Sequence, residues 1–280
     1  MREINVSQVT DAVGKMYIEA NHYLGDDVKA CISRCAACEE TELARSVFET
    51  IEKNIEIAEE GIFPLCQDTG MACIFMEIGQ DVHFTGGDLY EAINEGVRKG
   101  CLEGYLRQTI VADPFRRTNT KDSTPADINV EIVPGDKVKI TLAPKGFGSE
   151  NMSRIKMFPP AAGVEGAEEF ILDTVKQAGG NPCPPIVVGV GIGGNFNKSA
   201  LMAKKALLRP MGEHNEDPFY EEMEERLLHK INELNVGPQG FGGKTTALAV
   251  NIIAAPTHIA GMPVAVNINC HVSRHKEVII

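Results

Sequence analysis

The 280-residue sequence contains no apolar run that approaches the ~18 residues needed for a membrane-spanning helix. Its first residues, "MREINVSQVTDAV", lack the basic region and apolar core of a secretory signal. Internal repeats, low-complexity tracts and an obvious linker are also absent. These absences predict a cytoplasmic protein with no membrane partner, folded as a single domain over residues 1–280.

Positive charge is in short supply, because 27 Lys and Arg residues face 39 Asp and Glu residues, for a net charge of −12. This balance argues against a nucleic-acid or anionic-membrane partner, since both are recognised by basic surfaces. An anionic small molecule stays open, because a few arginines in one cleft can bind it. A chain of this length needs no disulfide bridges. Its eight cysteines are therefore predicted to be reduced thiols, metal ligands or core residues.

Hydrophobic periodicity predicts a mixed α/β fold, with a helical N-terminal region over about residues 1–60 followed by sheets flanked by helices. Further helices are predicted over 88–107, 165–178 and 195–209, and from Asp217-Pro218 onward. Strands are predicted in "ACIFMEI", "PIVVGVG", "TTALAVNIIAAP" and "PVAVNIN". The segment "INVEIVPGDKVKITLAP" alternates apolar and polar residues around Pro134-Gly135-Asp136, which predicts a β-hairpin.

Three cysteines in "CISRCAAC", Cys31, Cys35 and Cys38, have the C-x3-C-x2-C spacing with which radical enzymes hold an iron–sulfur cluster. The surrounding stretch has no Gly or Pro, and positions i, i+4 and i+7 fall on one helix face. A cluster loop needs an open backbone, whereas buried cysteine behaves as a small hydrophobe. The pattern therefore favours a core-facing helix over a cluster loop.

Gly189, Gly191 and Gly194 in "GVGIGG" form G-x-G-x-x-G between a predicted strand and a predicted helix, as in a dinucleotide site. Such a site would make the protein a nucleotide-dependent oxidoreductase. The match is incomplete, because the acidic residue at the right distance, Glu213, ends no second strand. A turn that admits some other anion is an equal alternative.

The segment "GPQGFGGKTT" is similar to a nucleotide-binding P-loop, G-x4-G-K-[ST]. The register fails, because Pro238 stands where the first glycine is required when Gly243-Lys244-Thr245 is taken as G-K-T. A predicted helix also precedes the segment, where a P-loop follows a strand. The sequence therefore argues against a P-loop.

Three other cysteines lie in predicted loops: Cys66 in "PLCQDTG", Cys183 in "GGNPCPPI" and Cys270 in "NINCHVSRH". Glycine and proline fix a bent backbone around Cys66 and Cys183, and polar residues are close to all three in the sequence. A structural cysteine is the commoner explanation for any one of them. Together they would suit a site that is completed only in the folded chain.

The motifs "PLCQDTG", "PKGFGSENMS", "NPCPP", "GVGIGGNF", "GPQGFGGKTTAL" and "THIAGMPVAVNINCHVSRH" occur in the order seen in class I, iron–sulfur fumarate hydratases. The chain resembles the alpha subunit of the two-subunit form over nearly its whole length from about residue 10. The alpha subunit of L-tartrate dehydratase looks similar. One departure is "KDSTPA", where Ser123 stands in place of the expected Asn. Lys244 lies in a matching motif but receives no role.

The resemblance implies a [4Fe–4S] cluster held by Cys66, Cys183 and Cys270, which leaves one iron open as a Lewis acid. The implied reaction is the reversible hydration of fumarate to (S)-malate, a step of the tricarboxylic acid cycle. The alternative within the same class is the dehydration of L-tartrate to oxaloacetate.

The resemblance also implies which residues bind and act on the dicarboxylate. Substrate contacts fall on Gln67, Asp68, Arg107 and the backbone of Gly148. Arg107 would clamp a carboxylate with its planar guanidinium group. His258 and Asp68 would form the acid group that handles the departing hydroxyl.

Single-chain members of the family carry a second half after the last cysteine motif, and that half supplies the general base. This chain stops at Ile280, ten residues past Cys270. The resemblance therefore implies a separate beta subunit and predicts that the chain alone is not an active enzyme. Association of two alpha chains is expected by analogy with the symmetric assemblies of the family.

Overall fold

The structure, a computed structural model, describes all residues from 1 to 280. Its helices are α1 (Val6–His22), α2 (Asp26–Cys38), α3 (Glu42–Glu59), α4 (Leu89–Glu103), α5 (Phe147–Glu150), α6 (Gly163–Ala178), α7 (Phe196–Ala206) and α8 (Pro218–Asn232). Its strands are β1 (Arg2–Asn5), β2 (Met71–Gly79), β3 (Val82–Thr85), β4 (Asp127–Val133), β5 (Val138–Lys145), β6 (Arg154–Phe158), β7 (Ile186–Gly193), β8 (Ala247–Ala255), β9 (Met262–Asn269) and β10 (Lys276–Ile279). The predicted mixed α/β fold class is confirmed. No helix combines the length and the apolar character required to cross a bilayer.

The N-terminal region is helical as predicted, since α1 to α3 occupy most of residues 6–59. The short strand β1 precedes them and pairs in parallel with β3, a pairing that the sequence did not reveal. Asn5 ends β1 and caps α1, because its side chain accepts a hydrogen bond from the backbone N–H of Ser7 at 2.9 Å. The change from strand to helix is therefore set by a local signal.

Residue contacts divide the chain into two compact units. The first unit comprises Met1–Leu24, Ile55–Phe147 and Arg274–Ile280, and the second comprises Gly25–Asn54 and Gly148–Ser273. Each unit has its own four-stranded sheet and its own cluster of buried apolar side chains. The prediction of a single domain over residues 1–280 stays a prediction.

The sheet of the first unit has the strand order β10-β5-β2-β4. Its core contains α1, α4 and the inner strands β2 and β5, and the largest side chains that are fully buried there include Tyr17, Ile74, Ile93 and Ile140. Helices α1 and α4 present apolar stripes at helical spacing, which is why both helices were recognisable in the sequence.

The predicted β-hairpin is wrong, because β4 and β5 are not neighbours in the sheet. Strand β2 lies between them, parallel to β4 and antiparallel to β5. The turn at Pro134–Lys137 crosses the end of β2, where Gly79 donates its backbone N–H to Lys137 and Asp81 donates to Gly135. Seven of the nine residues in β2 are buried. The most apolar strand therefore takes the centre of the sheet, and local alternation could not show this.

The sheet of the second unit has the strand order β6-β9-β7-β8. Strand β7 runs parallel to β8 and antiparallel to β9. Helices α6, α7 and α8 belong to this unit, and its core joins Phe170, Ile171, Val188, Leu227 and Ile268. The loops before β7 and after β9 consequently lie at one end of the sheet, and the loops after β7 and β8 lie at the other end.

Helix α7 lies very close to β7, and two glycines make this approach possible. A Cβ atom on Gly191 would lie 2.0 Å from the carbonyl oxygen of Ser199, and one on Gly189 would lie 2.1 Å from that of Ala203. Ser199 also donates its hydroxyl to the Gly191 carbonyl at 2.8 Å. The first two glycines of "GVGIGG" are therefore required by packing, and Glu213 lies in the loop between α7 and α8, where it ends no strand. The expected features of a dinucleotide site are missing.

Gly191→Ala tests this packing constraint. The added methyl group meets backbone, which cannot move aside like a flexible side chain, so we expect a loss of about 1–3 kcal/mol in the free energy of unfolding. Gly261→Ala is the matched control, because a Cβ atom there meets nothing within 4 Å. Urea unfolding of both variants measures the difference. Equal midpoints would show that the contact between α7 and β7 does not limit stability.

Candidate functional site

The turn at Cys66–Gly70 in the first unit is held by the carboxylate of Asp68. Asp68 Oδ1 accepts the backbone N–H of Gly70 at 3.0 Å, and Oδ2 accepts that of Phe147 at 2.9 Å. Cys66 is half-buried and Gln67 is exposed. The carboxylate is thereby fixed in position while the neighbouring thiol and amide remain accessible.

The backbone of Arg107 is attached to the same turn. Thr69 donates its hydroxyl to the Arg107 carbonyl at 3.2 Å, and Thr109 donates its hydroxyl to the Gly70 carbonyl at 3.1 Å. The Arg107 side chain is exposed. The structure therefore brings together the predicted substrate residues Gln67, Asp68 and Arg107 on two linked loops of one unit.

Ser123 gives the loop of "KDSTPA" a structural role. Its side chain is fully buried, and its φ of 59° lies in the left-handed region, where Asn is favoured over most residues. Its hydroxyl donates to the Arg107 carbonyl at 3.1 Å and accepts the backbone N–H of Thr109 at 3.2 Å. The departure from Asn therefore still leaves a polar side chain that positions the Arg107 segment.

Arg274 is a residue at this site that the sequence analysis did not assign. Its side chain is only 5% exposed, and its Nη2 donates to the main-chain carbonyl of Asp68 at 2.6 Å. Its Nε and Nη1 atoms are buried without a hydrogen-bond partner. A buried guanidinium group is costly unless it is paired. The only signal in the sequence was an arginine near Cys270 in "HVSRH".

Tyr17 supports the turn from the helical side. Its hydroxyl donates to the Gly70 carbonyl at 2.7 Å, and burial raises the pKa of this phenol well above its usual value. The hydroxyl therefore stays protonated and remains a hydrogen-bond donor. Helix α1 is thus connected directly to the turn that carries Asp68.

Two of the predicted cysteine loops meet in the second unit. His271 donates its backbone N–H to the Cys183 carbonyl at 3.4 Å, and its Nδ1 lies 3.0 Å from the same oxygen. Cys183 has a positive φ of 55° and an exposed side chain, whereas Cys270 is half-buried. Cys183 and Cys270 are therefore brought to the same end of the sheet.

The segment "GPQGFGG" joins this linkage through Gln239. Its backbone N–H and its side-chain Nε2 both donate to the Pro184 carbonyl, at 2.7 and 2.9 Å, and Nε2 lies 3.2 Å from His271 Nδ1. A cavity of about 370 Å³ opens beside it, lined by Gln239, Phe241, His271 and one side of α3. Two motifs that are distant in the sequence thus line one accessible region together with α3.

His258 lies at the other end of the same sheet. The loop that contains it follows β8, whose last residue, Ala255, pairs with Gly193 at the end of β7. Cys183 precedes β7, and Cys270 follows Asn269 at the end of β9. Strand β7 has eight residues, which corresponds to roughly 25 Å. The structure therefore separates His258 from Cys183 and Cys270.

Gly148, the remaining predicted substrate residue, is the second residue of α5 and belongs to the second unit. It is exposed, and a Cβ atom there would meet nothing closer than the Asn181 carbonyl at 3.7 Å. Its backbone is therefore open to a ligand. Its role in substrate binding stays a prediction.

The "CISRCAAC" segment is helical to its end, because α2 runs through Cys38. Cys31 is buried, Cys35 is half-buried and Cys38 is exposed. A hydrogen bond from Cys35 lowers the pKa of Cys31 to about 6, and the same contact raises the pKa of Cys35. The core interpretation holds for Cys31 and is wrong for Cys38, which lies exposed at the last residue of the helix. The helical backbone does not provide the open loop that a cluster needs.

The P-loop resemblance also has a structural explanation. Glu39 is buried and accepts the backbone N–H groups of Lys244 and Thr245 at 2.9 and 2.8 Å. The Lys244 ammonium group pairs with Glu40 at 2.5 Å. The donors that would hold a phosphate in a P-loop are thus bonded to a carboxylate of this chain, and Lys244 gains a structural role.

A small acidic cluster lies away from these loops. The potential ligand atoms of His214, Glu221 and Glu225 lie within 4.8 Å of one another, with His214 and Glu225 exposed. Nothing else at this place points to a bound ion, and clusters of exposed acidic groups commonly occur without one. The sequence analysis had no expectation here.

Comparisons with known proteins agree with this arrangement of motifs. A family model described as "Fumarate hydratase (Fumerase)" matches residues 10–279. The chain is 41% identical over 273 residues, covering 95% of each sequence, to a Methanocaldococcus jannaschii protein provisionally named L(+)-tartrate dehydratase subunit alpha. It is 29% identical to the L(+)-tartrate dehydratase subunit alpha of Escherichia coli O157:H7, covering 98% of this chain and 91% of that protein.

Arg274→Met tests whether this buried cation fixes the Asp68 turn. The variant keeps the apolar stem but removes a hydrogen bond from a charged donor, which typically contributes about 1.5–3 kcal/mol. We expect the amides of Gly70 and Phe147 to exchange about tenfold faster with solvent, measured by hydrogen exchange. Arg154→Met is the control, because its partner Asp173 lies in the second unit. Unchanged exchange in Arg274→Met would show that the Asp68 carboxylate bonds are enough to keep the turn in place without Arg274.

Proposed function

The chain belongs to the fumarate hydratase (fumerase) family of hydro-lyases, and we propose that it is the alpha subunit of an iron–sulfur enzyme that interconverts fumarate and (S)-malate. One observation carries the proposal: two cysteine loops that match the family, those of Cys183 and Cys270, meet in the second unit. A cytoplasmic location and a place in the tricarboxylic acid cycle are parts of the same proposal.

The proposed cluster ligands are Cys66, Cys183 and Cys270. Thiolates are the usual ligands of iron–sulfur clusters, and none of these three cysteines forms a disulfide. Each lies in a loop, with Cys183 exposed and the other two half-buried, so the donor set fits a [4Fe–4S] group. Held by three protein ligands, such a cluster supplies a Lewis acid for a hydroxyl and a carboxylate group.

The linked loops of the first unit would bind and orient the dicarboxylate. Arg107 presents an exposed guanidinium group, which suits two-point contact with a carboxylate. The Gln67 amide and the Gly148 backbone N–H would donate further hydrogen bonds. Negative charge that develops on the carboxylate during proton removal is stabilised by such fixed donors.

Asp68 would handle the departing hydroxyl. Its carboxylate is fixed by the Gly70 and Phe147 amides, while Arg274 holds its main-chain carbonyl. A group that transfers a proton must be held within hydrogen-bond reach of its target. Asp68 has the fixed placement that this role requires, and His258 would assist it as the second member of the acid pair.

A beta subunit is the proposed partner, because the relatives named above are all alpha subunits. Elimination of water also requires removal of a proton from the neighbouring carbon, and this general base is assigned to the beta subunit. Further basic groups for the second carboxylate would come from the same subunit. Association of two alpha chains is proposed as well.

L-Tartrate dehydration is the second candidate function, and the names of the relatives favour it. Malate and tartrate differ by one hydroxyl group, so the same acid, arginine and cluster ligands would serve both reactions. The choice depends on which groups surround that hydroxyl in the complete complex. Fumarate hydration remains our main proposal because the family model bears that name.

The cluster assignment predicts a clear difference between two sets of cysteines. Cys183→Ser should remove most of the iron, because serine replaces a thiolate ligand. Changing Cys31, Cys35 and Cys38 together to Ala should leave the iron in place, since α2 keeps them in a helix. Iron and labile sulfide assays on anaerobically purified complex measure both variants. If the triple Ala variant lost its iron while Cys183→Ser kept it, the cluster ligands would have to be the cysteines of α2.

The substrate assignment is tested by anaerobic rates of the complete complex with (S)-malate, fumarate and L-tartrate. We expect kcat/KM to be at least about tenfold higher for malate than for tartrate, because a pocket can reject one added hydroxyl by up to ~100-fold. The alpha chain alone should be nearly inactive, since we assign the base to the beta subunit. A preference for tartrate would select the second candidate, and full activity of the isolated chain would remove the need for a beta subunit.

A further inference from the structure

Glu150, the last residue of α5, is a charged side chain that takes no part in the chemistry proposed above. It lies two residues after Gly148, whose backbone N–H is assigned to the substrate. Glu150 Oε1 lies 2.9 Å from the ammonium nitrogen of Lys204 on α7, and Oε2 accepts a hydrogen bond from Asn267 Nδ2 on β9 at 2.8 Å. A helix of only four residues is thus bonded to a longer helix and to a strand of the sheet.

The carboxylate of Glu150 and its partners are largely shielded from water. The side chains of Glu150 and Lys204 are 22% and 20% exposed, and Asn267 is buried. Asn267 Nδ2 also donates to the hydroxyl of Ser153 at 2.8 Å, so one amide group bonds two places in the turn that ends α5. Hydrogen bonds to a charged group are stronger than those between neutral groups. The position of Glu150 is therefore fixed by side chains of two rigid elements.

Asn267 connects α5 to the strand that leads to Cys270. It pairs with Gly189 of β7, and β9 ends at Asn269, directly before Cys270. Three residues of extended chain correspond to roughly 10 Å. Glu150 therefore holds α5 at a defined distance from the Cys270 loop.

The Cys183 loop lies beside α5 as well. A Cβ atom on Gly148 would lie 3.7 Å from the carbonyl oxygen of Asn181, which is two residues before Cys183. The backbone N–H of Asn181 is itself bonded to the Ala178 carbonyl at the end of α6, at 3.1 Å. Both cysteine loops and the residues of α5 from Gly148 onward belong to the second unit. The Gly148 backbone therefore has a fixed place beside two of the proposed cluster ligands.

Lys204 also compensates the charge of Glu150. A lone carboxylate two residues from Gly148 would repel a dicarboxylate, and such repulsion grows where water is excluded. The ammonium group at 2.9 Å cancels this charge. An acidic side chain can consequently serve as an anchor close to a site for an anion.

We propose that Glu150 is a positioning residue, which holds the Gly148 backbone N–H in place for a carboxylate group of the substrate. Glu150 does not touch the substrate, and it acts through the backbone of α5. The inference rests on the proposed function, since it requires that a dicarboxylate binds beside the cysteine loops. A misplaced donor weakens the binding of substrate and of transition state alike, so its effect falls on KM and leaves kcat unchanged.

Anaerobic kinetics of the complete complex with (S)-malate and L-tartrate test the proposal. For the acid that is turned over, Glu150→Ala should raise KM about tenfold, the effect of one weakened hydrogen bond to a charged group, with kcat and iron content within about twofold of wild type. Glu150→Gln should raise KM about threefold at most, because its amide oxygen still accepts one of the two bonds. Glu168→Ala is the matched control and should leave KM unchanged, because Glu168 is a buried acid of the same unit that pairs with Arg226 and Lys230.

Hydrogen exchange provides a readout that depends on neither activity nor iron. The backbone N–H of Met152 donates to the Ser149 carbonyl at 3.1 Å, and that of Ser153 donates to the Glu150 carbonyl at 3.0 Å. These two amides report whether the turn that ends α5 stays closed. We expect both to exchange about tenfold faster in Glu150→Ala and at the wild-type rate in Glu168→Ala.

Three results would overturn the inference. The first is a wild-type KM in Glu150→Ala, which would show that Gly148 needs no anchor. The second is a loss of kcat together with iron at constant KM, which would give Glu150 a purely structural role. The third is unchanged exchange in Glu150→Ala, even if the wild-type complex proved to be inactive. A wild-type complex that turns over neither acid would instead reject the proposed function, and the exchange rates would still decide whether Glu150 fixes α5.

Discussion

The antiparallel pairing of β7 with β9 determines which functional loops can meet. It places the residues before β7 beside those after β9, so the backbone of Cys183 contacts His271 directly after Cys270. The parallel pairing of β7 with β8 places the loop that follows β8 at the opposite end. One sheet therefore joins two cysteines and separates His258 from both. Because register fixes every residue along a paired strand, this separation cannot be adjusted locally.

The first unit has a different task, which is to hold a half-buried acid, Asp68, and an exposed arginine, Arg107, on linked loops. Exposed side chains are normally mobile, but here the backbone beneath them is bonded from several sides. The Asp68 carboxylate bonds two amides, Arg274 bonds the Asp68 carbonyl, and Ser123 bonds the Arg107 carbonyl. Buried groups thus supply the rigidity, and the reactive groups remain accessible. This division is what a preorganised polar site requires.

The features that could be predicted from the sequence are those determined by residues close together in the chain. Asp217 caps α8 with Pro218 in its first turn, as the residues themselves indicated. The predicted hairpin was wrong because the partner of a strand is not set by nearby residues. Strands β4 and β5 both pair with β2 and not with each other. Arg274 was missed for the same reason, since its partner is 206 residues away in the chain. The family motifs identified the cysteine loops but could not show where His258 lies relative to them.

The segments "GVGIGG" and "GPQGFGGKTT" show that a short motif indicates a local backbone arrangement but not the ligand or the side chain that this arrangement binds. Glycines that allow a pyrophosphate to approach the backbone also allow a helix to do so. Here α7 packs directly against Gly191. Backbone amides that hold a phosphate also hold a carboxylate, and Glu39 fills that role beneath Lys244. The net charge of −12 is equally non-specific, since charges beyond about 8 Å are largely screened at physiological ionic strength. Binding of an anion is therefore decided by the few groups around it, which here include the exposed Arg107 and the buried Arg274, both linked to the Asp68 turn by hydrogen bonds.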